Sequence, residues 1–139
     1  MIRAVLDTNV YVAALLSRDG APARLMGSLS DGLFDVVVCP ALLDELRGVL
    51  ARPKISQRIS QRDARAYVEW VERVGLSDKD PVDILSISPD PDDDYLIALA
   101  RQSGAGVIVS GDAHLLSLAL GGLRVLSPAA FAELIDALR

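Results

Sequence analysis

MIRAVLDTNVYVAALL, residues 1–16, joins two apolar runs through Asp7-Thr8-Asn9. The first run is short and rich in Val, Ile and Leu, which predicts a buried strand, whereas the second has the length of a helix. Aspartate is disfavoured in strands and costly to bury without a partner. Asp7 is therefore expected at the end of a strand, where it either caps the next helix or carries chemistry.

The alternation of short and long apolar segments continues along the chain. Further strands are predicted over 34–39, 107–109 and 123–126, with a weaker candidate over 82–87. Helices are predicted over 9–17, 21–29, 41–50, 62–74, 92–103 and 127–138. This order predicts an α/β fold with a mostly parallel sheet of about five strands and helices on both faces. The length of 139 residues fits one domain, residues 1–139.

Composition excludes several classes of protein and site. No apolar run reaches the roughly 18 to 20 residues that span a bilayer, and Asp7 interrupts the N-terminal run too early for a signal peptide. We therefore expect a cytoplasmic protein without a membrane partner. Cys39 and His114 are the only residues of their types, which excludes a disulfide and multi-His or Cys-cluster metal sites. A bound metal would have oxygen ligands, which favours Mg²⁺ or Mn²⁺ over Zn²⁺.

Charge is distributed unevenly along the chain. The net charge is −5, which argues against a protein coated in basic residues for general nucleic-acid affinity. Residues 52–65 nevertheless carry five basic side chains and one acidic one. Residues 78–94 carry seven aspartates and one lysine. These two stretches predict two surfaces with different partners, although solvated helix faces and acidic loops give similar runs.

Acidic residues recur where strands end and helices begin. Asp112 follows the strand 107–109 as Asp7 follows the first strand, Asp92-Asp93-Asp94 opens a helix, and Glu45 lies at the margin of an apolar helix face. Helix capping, the helix dipole and a solvated rim position would explain each one separately. The carboxyl ends of parallel strands meet at one edge of a sheet, so the four groups could also converge. A divalent cation would then relieve their mutual repulsion.

The order of these motifs resembles PIN-domain ribonucleases, and specifically PIN-family toxins of prokaryotic toxin–antitoxin pairs. The resemblance covers essentially the whole chain. It is carried by the opening Val5-Leu6-Asp7-Thr8-Asn9, by Leu42-Leu43-Asp44-Glu45-Leu46, by Asp94-Tyr95-Leu96-Ile97-Ala98 and by Ser110-Gly111-Asp112. It implies a three-layer α/β/α domain, dependence on Mg²⁺ or Mn²⁺, and endonucleolytic cleavage of RNA. It also implies a possible antitoxin partner and a homodimer.

The resemblance assigns roles to individual residues. The interval from Asp94 to Ser110 favours Asp94 over Asp93 as a metal ligand, together with Asp7 and Asp112, and Glu45 completes the site or positions a water. Thr8, Asn9 and Ser110 are expected to orient the carboxylates by hydrogen bonding. Many relatives have an acid where this chain has His114, so a fifth acidic ligand is not expected there. The candidates for holding the RNA backbone are Arg52, Lys54, Arg58, Arg62 and Arg65.

Two other classes of function compete with a nuclease. A Mg²⁺-dependent phosphotransfer domain of the receiver or phosphatase type also places Asp at strand ends, but it needs a paired acid or an Asp-x-Asp where this chain has Asp7-Thr8-Asn9. A non-catalytic domain that uses the same scaffold for protein binding is the other alternative. The sequence does not show that the four acids converge, so it does not exclude this module.

Overall fold

Five parallel strands form the centre of the protein in the computed structural model, which describes residues 1–139. The strands are β1 (Arg3–Leu6), β2 (Asp35–Val38), β3 (Leu76–Ser77), β4 (Val107–Val109) and β5 (Arg124–Leu126). They lie in the order β3-β2-β1-β4-β5, and every neighbouring pair is parallel. The predicted α/β class with a five-stranded sheet is therefore confirmed.

Eight helices connect and cover the strands: α1 (Thr8–Leu16), α2 (Ala21–Ser30), α3 (Pro40–Leu50), α4 (Pro53–Ser56), α5 (Gln61–Val74), α6 (Pro91–Ser103), α7 (Ala113–Leu116) and α8 (Pro128–Asp136). Right-handed crossovers place α1 to α5 on one face of the sheet and α6 and α7 on the other. The contacts agree, because α1 packs against α2 and α3, whereas α6 packs against β1 and β4. The result is the three-layer α/β/α arrangement.

Local sequence explains where several elements begin and end. Ser60 and Ser127 cap α5 and α8, since their hydroxyls accept hydrogen bonds from the backbone N–H of Asp63 and Ala130. Gly75 lets the chain turn from α5 directly into β3, because a Cβ at Gly75 would lie 2.9 Å from Cγ2 of a β2 valine.

The fifth strand is not the one that the sequence favoured. Residues 82–87 form no strand, and Asp83 has a left-handed backbone with φ of 54°. The edge strand is instead the two-residue β3, which is too short to show an alternating pattern. The sequence patterns also did not predict the single-turn helices α4 and α7, because each is too short to show a helical period.

The core consists of the buried strands and the helix faces packed on them. Val5, Val37 and Ile108 of the central strands are almost completely buried, as the absence of polar alternation in their segments predicted. Phe34 and Phe131 make an edge-to-face contact, with ring centroids 5.0 Å apart. No helix of the protein combines the length and the apolar character that crossing a bilayer requires.

Candidate metal centre

The ends of β1 and β4 define the candidate site. The two strands are paired with Leu6 opposite Val109, and the backbone N–H of Asp7 donates to the carbonyl of Val109 at 2.9 Å. From this central pair, the chain adds β2 and β3 on the side of β1, and it adds β5 on the side of β4. The direction in which strands are added therefore reverses between β1 and β4. Open α/β sheets bind ligands in the crevice that such a reversal creates at the carboxyl ends of the strands.

Ser110 joins the acidic groups that follow these two strands. Its completely buried hydroxyl donates to Oδ2 of Asp7 at 2.9 Å and accepts from the backbone N–H of Asp112 at 3.0 Å. One side chain therefore fixes the end of β1 relative to the start of α7. This contact is of the orienting kind that the sequence predicted for Ser110.

Asp7 and Asp112 are also helix caps. Oδ1 of Asp7 accepts from the backbone N–H of Asn9 at 3.4 Å, and Oδ1 of Asp112 accepts from the backbone N–H of His114 at 2.8 Å. The capping role that the sequence offered for Asp7 is therefore observed, with α1 beginning at Thr8. For both aspartates the capping and chemical interpretations are compatible, since a carboxylate offers about four lone-pair sites and these hydrogen bonds leave some of them for a cation.

The acidic turn of α6 contributes Asp93 to the site. Carboxylate oxygens of Asp90, Asp93 and Asp112 all lie within 4.8 Å of one another. Asp94 is used differently, because its Oδ1 accepts from the backbone N–H groups of Ile87 and Ser88 at 2.9 and 2.7 Å. The structure therefore differs from the sequence-based choice of Asp94, and it brings Asp93 to the other carboxylates.

These acidic groups surround a cavity of about 90 Å³. Its lining residues come from β1, α1, α3, α6 and the start of α7: Asp7, Asn9, Glu45, Asp90, Asp92, Asp93, Leu96 and Asp112. A second cavity of about 480 Å³ shares Asp7, Asn9 and Asp112 with it and extends to Pro22 and Pro128 at the starts of α2 and α8. The small cavity has the size for ions and waters, and the larger one has room for part of a nucleotide.

Repulsion and burial shift the pKa values of two of the acids. Burial raises the pKa of Asp93 to about 6, and the carboxylates of Asp112 and Asp90 add to this effect. The pKa of Glu45 is raised by partial desolvation of its carboxyl group and by the charges of Asp92 and Asp7. Such shifts are expected where carboxylates cluster, because each negative charge disfavours ionisation of its neighbours.

The donor set fits a hard divalent cation. The groups that face the small cavity are carboxylates and one amide, and oxygen ligands are those that Mg²⁺ and Mn²⁺ prefer. The sulfur and imidazole groups lie elsewhere: Sγ of Cys39 is 2.6 Å from the hydroxyl of Tyr95, and His114 is exposed. A cation among Asp90, Asp93 and Asp112 would convert their repulsion into coordination.

Among the predicted RNA-binding residues, Arg52 is the one whose charge acts on an acid of the site. Burial, Asp92 and Asp7 raise the pKa of Glu45, and the charge of Arg52 partly opposes that rise. Arg65 lies instead in a cavity of about 390 Å³ between α3 and α5 that Arg47 and Glu69 also line. Lys54 and Arg62 are exposed, and Arg58 donates to the carbonyl of Leu16 at 3.2 Å.

Asp90 is the site residue that the sequence did not reveal. Its side chain caps α6, accepting from the backbone N–H of Asp92 at 3.0 Å, immediately before Pro91 at the first helical position. Asp-Pro at a helix start is fully explained by capping, so nothing in the sequence pointed to a further role. Its position beside Asp112 follows only from the packing of α6.

Comparisons with known proteins agree with this architecture. The family model described as PIN domain matches residues 3–114. The chain is 25% identical to uncharacterized protein MJ1680 of Methanocaldococcus jannaschii over 117 residues, which cover 84% of this chain and 75% of that protein. It superposes on the crystal structure of PAE2754 from Pyrobaculum aerophilum with a TM-score of 0.69 and 15% identity, covering 98% and 90% of the two chains. The chain therefore belongs to the PIN-domain family, whose members are generally metal-dependent nucleases.

Proposed function

We propose that this chain is a metal-dependent endoribonuclease that hydrolyses phosphodiester bonds in RNA. The observation that carries the proposal is the convergence of Asp7, Glu45, Asp93 and Asp112, from separate segments, around one small cavity at the strand ends. The adjoining larger cavity provides space for the substrate beside these groups. Family membership supports a nuclease, and RNA as the substrate is our extension of it.

We assign metal binding to Asp90, Asp93 and Asp112, with Asp7 at the side of the cavity that opens toward the larger one. Asp94, chosen from the sequence, is replaced in this assignment because it lines a different cavity, beside Leu85 and Arg101, whereas Asp93 lines the small acidic one. Mg²⁺ or Mn²⁺, when bound, supplies neutralisation of the phosphate oxygens and activation of a water molecule.

The other residues of the site act on protons and on orientation. Ser110 holds Oδ2 of Asp7 and the backbone of Asp112 in a fixed relation, so that both carboxylates are placed before substrate binds. Glu45 has a raised pKa, which makes its carboxylate a better proton acceptor for an attacking water than an ordinary glutamate. Arg52, whose charge partly opposes the rise in the pKa of Glu45, is our candidate for contact with a substrate phosphate.

The direct test is cleavage of a labelled single-stranded RNA and of DNA with the same sequence. We expect RNA cleavage with Mg²⁺ or Mn²⁺, none in EDTA, and none with Asp7→Asn, whose amide oxygen can still accept from Ser110. Asp44→Asn is the matched control, because Asp44 is exposed on the same helix as Glu45 and pairs with Arg47. Full activity of Asp7→Asn would refute the catalytic assignment, and cleavage of DNA alone would refute the substrate.

A second outcome would identify a non-catalytic binding module. In that case calorimetry would detect Mn²⁺ binding, but neither nucleic acid would be cut at any metal concentration. The phosphotransfer alternative is set aside, because the chain belongs to the PIN-domain family and lacks the Asp-x-Asp motif after β1.

We further propose a biological role as the toxin of a toxin–antitoxin pair and a homodimeric state. Both rest on the sequence resemblance to PIN-family toxins. Induced expression should arrest bacterial growth, and Asp7→Asn should abolish the arrest. Light scattering should give twice the mass of one chain. Unimpaired growth with active enzyme would contradict the toxin role, and a monomer mass would contradict the dimer.

A further inference from the structure

Residues 81–87, here called the apolar segment, expose a run of aliphatic side chains on the loop between β3 and α6. Val82 and Leu85 are 73% and 68% exposed, and Ile84 and Ile87 are 43% and 39% exposed. Single exposed aliphatic residues are normal, but four within a stretch as short as 82–87 are unusual. The loop between Ser77 of β3 and Pro91 of α6 has no secondary structure, and loops of this length in small domains are commonly functional.

The apolar segment is anchored at both ends and unpaired between them. Oδ1 of Asp80 accepts from the backbone N–H of Ala41 at 2.8 Å, and the backbone N–H of Ile87 donates to Oδ1 of Asp94 at 2.9 Å. Residues 82–86 make no backbone–backbone hydrogen bond. The protein thus holds the aliphatic side chains at its surface and leaves the backbone groups between the anchors available to a partner.

The charge around the apolar segment narrows the class of partner. Four exposed aspartates and the half-buried Asp78 surround it, and the nearby basic residues are Lys79 and Arg101; the exposed aspartates are Asp80, Asp83, Asp90 and Asp92. A nucleic-acid backbone or an anionic bilayer would meet repulsion here, and the segment contains no aromatic ring on which a base could stack. A second copy related by a twofold axis would place the same acidic rim against itself.

We infer that the apolar segment is a docking surface for a stretch of a partner protein that carries aliphatic side chains flanked by Lys or Arg. Aliphatic groups of the partner would cover Val82 and Leu85, and its basic groups would pair with the exposed Asp80 and Asp83. This inference does not depend on the proposed nuclease function, since Val82, Leu85, Asp80 and Asp83, the residues that make the proposed contacts, lie outside the candidate metal centre.

The test uses fluorescent peptides and fluorescence anisotropy with the full chain. The probe is a short peptide in which Leu and Lys alternate, compared with one of Leu and Glu and one of Ser and Lys. We expect the Leu–Lys peptide alone to bind, with at least tenfold weaker affinity for the Val82→Ser, Leu85→Ser double variant. Leu138→Ser is the matched control, because Leu138 is 55% exposed in the C-terminal residues and should not affect binding.

Several results would overturn the inference. Equal binding of the Leu–Lys and Ser–Lys peptides would show attraction by charge alone, and unchanged binding to the double variant would place the contact elsewhere. A dimer of the unmodified chain that the double variant loses would assign the segment to a second copy.

Backbone amide NMR of the unmodified chain provides a check that needs no variant. The shift changes on addition of the Leu–Lys peptide should be confined to residues near 81–87. RNA cleavage by the double variant should be unchanged, which separates this test from that of the nuclease.

Discussion

Replacing Asp93 by Asn should have opposite effects on stability in the absence and in the presence of metal. Asp93 is only 4% exposed, and its pKa is raised from 3.8 to about 6. Because the pKa is higher in the folded state, protonation of this carboxyl group favours folding. That contribution to stability is complete below about pH 4 and is lost as the pH rises through about 6. The shift of about two units corresponds to about 3 kcal/mol. Near pH 7.5, metal-free Asp93→Asn should therefore be more stable than the unmodified protein by up to that amount.

Metal should reverse the comparison. A ligand that binds only the folded state stabilises it by about 4.1 kcal/mol at one thousand times its dissociation constant, which exceeds the advantage of about 3 kcal/mol that metal-free Asp93→Asn has. The unmodified protein should gain this amount in Mg²⁺ or Mn²⁺, whereas Asp93→Asn should gain little because it lacks a charged ligand. Urea unfolding at matched pH, in EDTA and with metal, measures both differences.

Asp94→Asn is the matched control for this prediction. Its side-chain oxygen can still accept the hydrogen bonds from Ile87 and Ser88, so we expect a loss of only about 1 kcal/mol and a retained response to metal. The reasoning is refuted if metal-free Asp93→Asn is no more stable than the unmodified protein near pH 7.5. It is also refuted if Asp94→Asn loses the response to metal while Asp93→Asn keeps it.

Three further predictions follow from the same site. Asp93 must lose its proton to bind a cation, so the affinity for Mn²⁺ should rise as the pH increases through about 6. Calorimetry in buffers of different ionisation enthalpy should detect the released proton. Metal binding that does not depend on pH would contradict this prediction. Ser110→Ala removes a buried hydroxyl that makes two hydrogen bonds, so the free energy of unfolding should fall by about 1 to 3 kcal/mol. The value of kcat should fall as well. A kcat equal to that of the unmodified protein would show that Ser110 does not orient Asp7. Arg52→Ala should raise KM for RNA and reduce the salt dependence of binding, whereas exposed Arg73 on α5, replaced by Ala, serves as the control. An unchanged salt slope would remove Arg52 from the substrate contacts.

Much of the fold could be read from local patterns. Buried parallel strands are continuous apolar runs, and the runs ending at Leu6 and Val109 predicted two central strands with nearly the observed bounds. The edge strand Leu76–Ser77 was not predictable, because two residues carry no periodicity and its place depends on close packing of Gly75 against Val38. The apolar run 82–87 was mistaken for a strand because it has strand-like composition, although its side chains face solvent.

The sequence by itself determined that carboxylates follow the strands at Asp7 and Asp112, since strand ends and helix starts are local features. It did not determine which of the adjacent Asp93 and Asp94 meets them. Neighbouring residues of a helix point about 100° apart, so the choice depends on how α6 is rotated against β1 and β4. The hydrogen bonds from Ile87 and Ser88 to Asp94 accompany the rotation that aims Asp93 at Asp112. Tertiary packing therefore decided the composition of the site, because it alone brings together groups that are distant in the chain.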